Sequence, residues 1–244
     1  MLAAGTLIGL LLGMLGAGGS IIAVPVLTLA AGLPLREAIA TSLVVVLCSS
    51  LSALLPRLRS GVRWSTGAIM IGAGAPCTVA GAALGRGLDE RVLAFGFVGV
   101  TALAVFFLLR APADARPETT PGGRGRVART VVAGGVVGTF TGLLGVGGGF
   151  LVVPALTLLL GLPITVAVGT SLVVISANAL TGMVAQLSTV SLDWTLTVAF
   201  AATTMVTAAV ASRYGTSVPE RALRRAFCSL VVAVSSVMLV AALR

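Results

Sequence analysis

Glycine clusters interrupt two long apolar stretches, and they are the residues of this sequence best suited to hold a ligand. Leu15–Pro25 reads LGAGGSIIAVP, and Leu144–Pro154 reads LGVGGGFLVVP. In both, the glycines precede an apolar helical segment, so they predict a helix N-terminus. Free amide groups and about half a positive charge from the helix dipole favour anions there, and glycine allows close approach to the backbone. The alternative is a tight turn without a ligand. The candidate binding residues are Gly18, Gly19, Ser20, Gly147, Gly148 and Gly149.

Hydroxyl pairs and one amide add polar groups to the apolar segments that follow. Thr41-Ser42 and Thr170-Ser171 recur near the start of equivalent segments, and Asn178 lies well inside the second one. Hydroxyls in membrane helices bond either to a ligand or to the backbone and a neighbouring helix. A buried amide needs a partner. We include all five residues among the candidate substrate-binding residues, with a structural role as the alternative for each.

Composition places the chain in a membrane. Hydrophobic residues make up 57% and charged residues 9% of 244 residues, whereas a soluble domain carries about a quarter charged residues. Several apolar runs reach the roughly 20 residues that span a bilayer. The net charge of +9 comes from arginines clustered between these runs. That pattern is typical of cytoplasmic loops and argues against nucleic acid as a partner.

The same composition argues against an enzyme and against a bound metal or cofactor. The chain has no histidine, its three cysteines are dispersed in apolar segments, and its seven acidic residues fall at predicted loops or helix ends. An intramembrane enzyme would need a nucleophile–base pair, metal ligands or paired carboxylates inside the membrane. We therefore expect neither catalysis nor a cofactor.

The chain is an internal duplication. A shift of 129 residues aligns Ala4–Val45 with Ala133–Val174 without a gap, and 22 of the 42 positions are identical. The repeat includes the GLP motif, at Gly32–Pro34 and again at Gly161–Pro163. We divide the chain into a first repeat (1–109), a polar cytoplasmic linker (110–129) and a second repeat (130–244).

Glycines at a spacing of four mark one face of the first arm in each half. Such a small-xxx-small pattern predicts close helix packing rather than a ligand contact. Trp64 and Trp194 begin equivalent segments and are expected to be interface anchors. The glycines of the two faces are Gly5, Gly9 and Gly13, and Gly134, Gly138 and Gly142.

The arginine distribution favours a hairpin at each glycine cluster. Arms of about 2–15 and 20–31 would be roughly 21 and 18 Å long, too short for a hydrocarbon core of about 30 Å. With two hairpins, 12 of the 16 arginines fall on one side; with two single crossings, 9 do. The positive-inside rule prefers the hairpins.

The predicted fold is therefore an all-α polytopic membrane protein with two inverted-topology repeats. Each repeat is a glycine-broken re-entrant helix hairpin followed by three transmembrane helices. An odd number of full crossings in each half turns the second half upside down, a common transporter plan. The predicted crossings are 35–56, 64–85 and 92–109 in the first half, and 164–186, 194–212 and 226–243 in the second.

These motifs resemble the TauE/SafE family of sulfite exporters. The resemblance rests on GLLLGMLGAGGSIIAVPVLT with GLPLREAIATSLVVV, and on GTFTGLLGVGGGFLVVPALT with GLPITVAVGTSLVVI. It covers both halves, and it implies export of small oxidised-sulfur or related organic anions across the bacterial inner membrane.

We therefore expect an inner-membrane exporter of sulfite, an organosulfonate or another oxidised-sulfur anion. Two broken-helix N-termini would form a site at the midplane, with alternating access driven by the anion gradient and the membrane potential. The alternatives are an anion channel using the same site and, less favoured, a structural membrane protein. The expected partners are a small anion and the lipid bilayer. The sequence leaves open which anion moves, whether an ion is coupled, and whether a homodimer forms.

Overall fold

The structure, a computed structural model, is helical, and no strand occurs among the residues that it describes. Those residues are 2–15, 18–29, 31–58, 61–85, 87–89, 124–144, 149–187 and 192–215, with isolated positions in 92–102 and 229–236. The predicted crossings 92–109 and 226–243 thus lie largely outside the described residues, as does the linker up to residue 123.

Each half contributes four helices to this described part. The first half contains α1 (Leu2–Leu15), α2 (Gly18–Leu29), α3 (Leu35–Leu54) and α4 (Trp64–Gly85). A 3₁₀ turn (Leu55–Arg57) extends α3. The second half contains α5 (Arg124–Leu144), α6 (Gly149–Pro154), which continues as a π-helical turn (Ala155–Leu159), α7 (Ile164–Leu187) and α8 (Trp194–Gly215).

Five of these helices are long and apolar enough to cross a membrane. Four were predicted, and the fifth, Gly125–Leu144, was not. α5 begins at Arg124, so the last six residues of the segment predicted as linker form its first turns. With 21 residues it is about 31 Å long. The prediction that the first arm is too short to cross is therefore wrong for the second half, whereas α1 has only 14 residues.

The GLP motif ends one helix and begins the next in each half. Gly32 and Gly161 have positive φ values of 67° and 60°. The Leu33 N–H donates to the Leu27 carbonyl (3.2 Å), and the Leu162 N–H donates to the Leu156 carbonyl (3.1 Å). In both halves, a hydrogen bond between residues six apart closes the helix end around a left-handed glycine, which is the usual residue at a helix C-terminus. The proline then precedes α3 and α7, where its missing N–H costs no helical hydrogen bond.

The two glycine faces pack closely against other helices, as the sequence predicts, and both partners belong to the opposite half. α1 lies on α8, and α5 lies on α4. A Cβ atom on Gly9 would lie 2.5 Å from the carbonyl oxygen of Thr204, and one on Gly134 would lie 2.6 Å from that of Met70. The backbones of these helix pairs are thus in direct contact, which only glycine permits.

The order of contacts along each pair gives the direction of the helices. Gly5 lies against Thr203 and Gly13 against Ser212, so α1 and α8 are parallel. Gly134 lies against Met70 and Gly142 against Thr78, so α5 and α4 are also parallel.

The remaining pairs complete the pattern. α3 is parallel to α8, since Ser52 bonds to Met205 and Arg57 to Ser212. α7 is parallel to α4, since Gly67 lies against Thr170 and Gly74 against Asn178. The equivalent helices α3 and α7 are antiparallel, because Ser50 bonds to Ser176 while Leu43 lies against Gly182.

The two ends of the bundle differ in the charged residues that they carry, within the described part of the chain. One end of the bundle, here called the basic end, is where α1, α3 and α8 end and α4, α5 and α7 begin; the other is the acidic end. Exposed Trp64 and Trp194 begin α4 and α8 at opposite ends, as expected of interface anchors. The basic end carries Arg57, Arg63, Arg124, Arg126, Arg129 and Arg213. The acidic end carries Arg36, Glu37, Asp89 and Asp193.

We predict that Gly32→Ala lowers stability through the backbone alone. No atom lies within 4 Å of a Cβ placed on Gly32, so the cost comes only from its positive φ and amounts to about 1–2 kcal/mol. Gly72→Ala is the matched control, since it too has open space around it but lies inside α4. There alanine should stabilise by about 0.5–1 kcal/mol. Thermal unfolding in detergent measures both; equal midpoints for the two variants would contradict this explanation.

We also predict that Gly138→Ala separates α4 from α5. Its Cβ would overlap the carbonyl group of Gly74, and overpacking of this kind costs about 1–3 kcal/mol or more. Gly135→Ala is the control on the same helix, because its Cβ would lie 3.5 Å from the Cys77 Sγ atom, an ordinary contact. The midpoint of thermal unfolding should fall for the first variant only. An unchanged unfolding midpoint for Gly138→Ala would show that the backbones of α4 and α5 are not in contact.

Candidate functional site

The glycine clusters are only partly described. α2 begins at Gly18, so Gly18 and Gly19 form its first turn, and Ser20 follows in the same helix. α6 begins at Gly149. Gly147 and Gly148 lie outside the described residues, as does the Ser20 side chain. Whether these residues bind an anion is therefore still a prediction.

The two glycine clusters do not start from the same depth in the bundle. α1 leads into the first cluster with Gly13 beside Ser212, close to the end of α8 at Gly215. α5 leads into the second with Leu143 beside Gly85, the last residue of α4. Because α4 and α8 are antiparallel, the chain enters the two turns at opposite ends of the bundle. The expectation that the two turns face each other at the midplane is therefore corrected.

The hydroxyl pairs are buried and have partners inside the protein. The Ser42 hydroxyl donates to the Ile39 carbonyl, and the Ser171 hydroxyl to the Val168 carbonyl, both at 2.8 Å. The Thr170 hydroxyl accepts the backbone N–H of Arg63 at 2.9 Å, ahead of α4. Thr41 is buried beside Ser42. These pairs lie six or more positions inside α3 and α7, so they do not cap those helices.

Asn178 is the polar side chain whose surroundings point to a ligand. It is fully buried, and neither its Nδ2 nor its Oδ1 atom has a hydrogen-bond partner among the described residues. A Cβ on Gly74 would lie 3.0 Å from Oδ1 and 3.3 Å from Nδ2. Gly74 is the eleventh of the 22 residues of α4, so the amide lies at mid-depth. A buried amide without partners costs about 1–3 kcal/mol, which a bound ligand would offset.

Neighbouring hydroxyls at the crossing of α3 and α7 are satisfied. Ser50 and Ser176 share a hydrogen bond of 2.8 Å between their hydroxyl groups. Ser49, the repeat equivalent of Asn178, donates to the Val45 carbonyl at 2.5 Å. Asn178 lies instead where α7 meets α4, and it is the buried side chain of the described residues that lacks hydrogen-bond partners.

Arg57 is a buried cation that the sequence did not reveal. The sequence grouped it with the loop arginines, and it does lie at the basic end, but it is only 4% exposed. Its Nε atom donates to the Ser212 hydroxyl at 3.0 Å, and Nη2 donates to the carbonyls of Gly13 (3.2 Å) and Met14 (3.5 Å). The repeat carries no signal for this role, because the equivalent residue is Gln186.

No group of three or more His, Cys, Asp or Glu residues that could hold a metal ion occurs in the described ranges. The described carboxylates, Glu37, Asp89 and Asp193, are all at the acidic end. The polar groups near mid-depth are therefore uncharged amide and hydroxyl groups, which suit reversible binding of a polar solute rather than bond-making chemistry.

Comparison with known proteins gives the family. The family model described as "Sulfite exporter TauE/SafE" matches residues 1–238. A "Probable membrane transporter protein" of Xylella fastidiosa (strain 9a5c) is 29% identical over 236 residues, which cover 95% of this chain and 90% of the relative. The "Probable membrane transporter protein YdhB" of Bacillus subtilis (strain 168) is 28% identical over 227 residues, 90% of this chain and 91% of the relative. No solved structure matches the chain significantly. With a family match over almost the whole chain and several helices able to cross a membrane, this protein belongs to the TauE/SafE sulfite exporter family of membrane transporters.

Proposed function

We propose that the protein exports a small oxidised-sulfur anion, sulfite or an organosulfonate, from the bacterial cytoplasm across the inner membrane. The unpartnered Asn178 amide is the observation that carries this proposal, because it offers free hydrogen-bonding groups at mid-depth in a helix bundle. The family model's description supplies the anion class.

The proposed topology has two inverted repeats, each beginning with a hairpin. Its first support is the antiparallel contact of the equivalent helices α3 and α7. Its second support is that α1 and α3 run in the same direction, as do α5 and α7. If α1 and α2 were one interrupted crossing, α3 would have to run back against α1. A chain that returns to its side of entry through α2 or α6 satisfies the observed directions.

The basic end is proposed to face the cytoplasm. Six described arginines lie at that end and one lies at the other, and the positive-inside rule assigns the arginine-rich side to the cytoplasm. Anions would then collect at the basic end. An inside-negative potential would drive them outward with about 2.3 kcal/mol per charge per 100 mV.

Asn178 selects among anions by the donors and acceptor that it presents. Its Nδ2 group can donate to an anion oxygen, whereas Oδ1 needs a donor from the ligand. A protonated monoanion such as hydrogen sulfite satisfies both atoms. Sulfate carries no proton at neutral pH and would leave Oδ1 unpaired. The site is therefore proposed to prefer hydrogen sulfite to sulfate, and to take an organosulfonate only if its organic part brings a hydrogen-bond donor for Oδ1.

Alternating access would move α1, α2, α3 and α8 as one group against α4, α5, α6 and α7 around this amide. The two groups contact each other where α3 crosses α7 and where α2 meets α6. Broken segments next to a central site are common in transporters with inverted repeats. The glycine clusters are proposed to mark the two ends of the pathway, and an anion channel along the same path is the competing mechanism.

We predict that Asn178→Leu stabilises the protein and stops transport. Leucine removes an unsatisfied buried amide worth about 1–3 kcal/mol, so thermal unfolding in detergent should shift upward. Sulfite efflux from proteoliposomes should fall at least about tenfold, since one net hydrogen bond to a charged group is worth about 1.5–3 kcal/mol.

Thr181→Val is the control for Asn178→Leu. It lies about one turn further along α7, and its hydroxyl already donates to the Ala177 carbonyl at 2.9 Å, so sulfite efflux should persist. Normal efflux through Asn178→Leu would refute the proposed site. Single-channel currents from the wild-type protein would favour the channel mechanism instead.

A further inference from the structure

Arg57 has hydrogen-bonding capacity that the described residues leave unused. A guanidinium carries five N–H donors. Its Nε and Nη2 atoms donate to Ser212, Gly13 and Met14. Nη1, with two further N–H groups, has no partner among the described residues. The side chain is nonetheless 96% shielded from solvent, being 4% exposed.

Among the described residues, no carboxylate compensates the charge of Arg57. Its partners are one hydroxyl and two carbonyls, and the described acidic residues lie at the acidic end. The C-terminus of α1 contributes about half a negative charge through its dipole, which leaves the described surroundings of Arg57 net positive. A buried charge is costly without an opposite charge beside it, so this position favours a bound anion.

The first half alone carries this cation. Under the repeat, Arg57 corresponds to Gln186, and Gly13 corresponds to Gly142. Gln186 is neutral and lies near the end of α7, on the acidic side of the bundle. The two ends of the proposed pathway therefore differ by one buried positive charge.

We infer that Arg57 forms an anion-capture site at the basic end, which loads the transported oxyanion before it reaches Asn178. This inference rests on the proposed export function and adds a binding step to it. An N–H group of Nη1 can donate to one oxygen of a sulfite-type anion. Exposed Arg213 follows Ser212 in α8 and is a second basic residue at this end of the bundle.

The experiment measures sulfite binding to the full-length protein by calorimetry in phosphatidylcholine nanodiscs. Arg57→Gln, which installs the residue found at the equivalent position, should weaken binding at this site at least about tenfold, as expected for losing a charge-assisted hydrogen bond. Arg57→Lys retains the charge and should bind more tightly than Arg57→Gln. Equal affinity in the wild type and Arg57→Gln would overturn the inference.

A gain-of-charge variant separates binding from the structural role of Arg57. Gln186→Arg leaves the contacts of Arg57 intact and adds a guanidinium at the equivalent place in the second half. It should create a second sulfite site, seen as a further equivalent bound, and should raise sulfite uptake from the acidic end several-fold. Unchanged stoichiometry and unchanged uptake would count against the inference, even if Arg57→Gln fails to fold.

Two further measurements identify the molecule bound at Arg57 and distinguish the capture site from the proposed transport site. Asn178→Leu should still bind sulfite at Arg57 although its efflux is lost, so binding without transport supports the capture site independently. Nanodiscs that contain phosphatidylglycerol should bind sulfite with similar affinity. If that lipid displaces sulfite completely, Arg57 holds a lipid phosphate and the capture site is wrong.

Discussion

Backbone-to-backbone packing between the two halves is the constraint on which the rest of this structure depends. α1 lies with its glycines on α8, and α5 lies with its glycines on α4, so each half gives its first helix to the other. At this distance even a methyl group would collide with a carbonyl oxygen. In lipid, where apolar surfaces gain little by association, such close contact is a main source of helix affinity. These two pairings fix the direction of α1 relative to α8 and of α5 relative to α4.

The centre of the bundle follows from the same arrangement. With their outer partners held in place, α3 and α7 meet as antiparallel neighbours, and the hydrogen bond between Ser50 and Ser176 joins them. Asn178 lies where α7 meets α4 and α5, in space that Gly74 leaves free. The glycines thus serve two purposes: they draw helices together, and at one position they make room for a polar group. The proposed transport site depends on that room.

Local features were predictable from the sequence, because they depend on neighbouring residues. The sequence predicts the repeat, the separate helices α1 and α2, the packing role of the glycine faces and four of the crossings. The length of α5 was not predictable, because its arginine-rich start resembles a linker until the helix continues through it. Asn178 could be singled out as a buried amide, but its lack of partners depends on three helices meeting around it.

Features that depend on contacts between the halves could not be predicted. The burial of Arg57 arises because α1 and α8 close over the end of α3, and its counterpart Gln186 gives no hint of it. For Thr170 the sequence left a ligand contact and a structural role open, and the bond from the Arg63 N–H to its hydroxyl depends on how the two halves pack. A repeat shows which segments are alike, but not which segment of one half packs on which segment of the other.

The opposite orientation of the two halves is the central claim, and site-directed labelling tests it most directly. Ser65 and Thr195 are exposed second residues of the equivalent helices α4 and α8. Each is replaced by cysteine in a protein whose three native cysteines are changed to alanine. A membrane-impermeant maleimide added to intact spheroplasts should label position 195 and not position 65, and inside-out vesicles should give the reverse. Labelling of both positions from the same side would contradict the inverted arrangement.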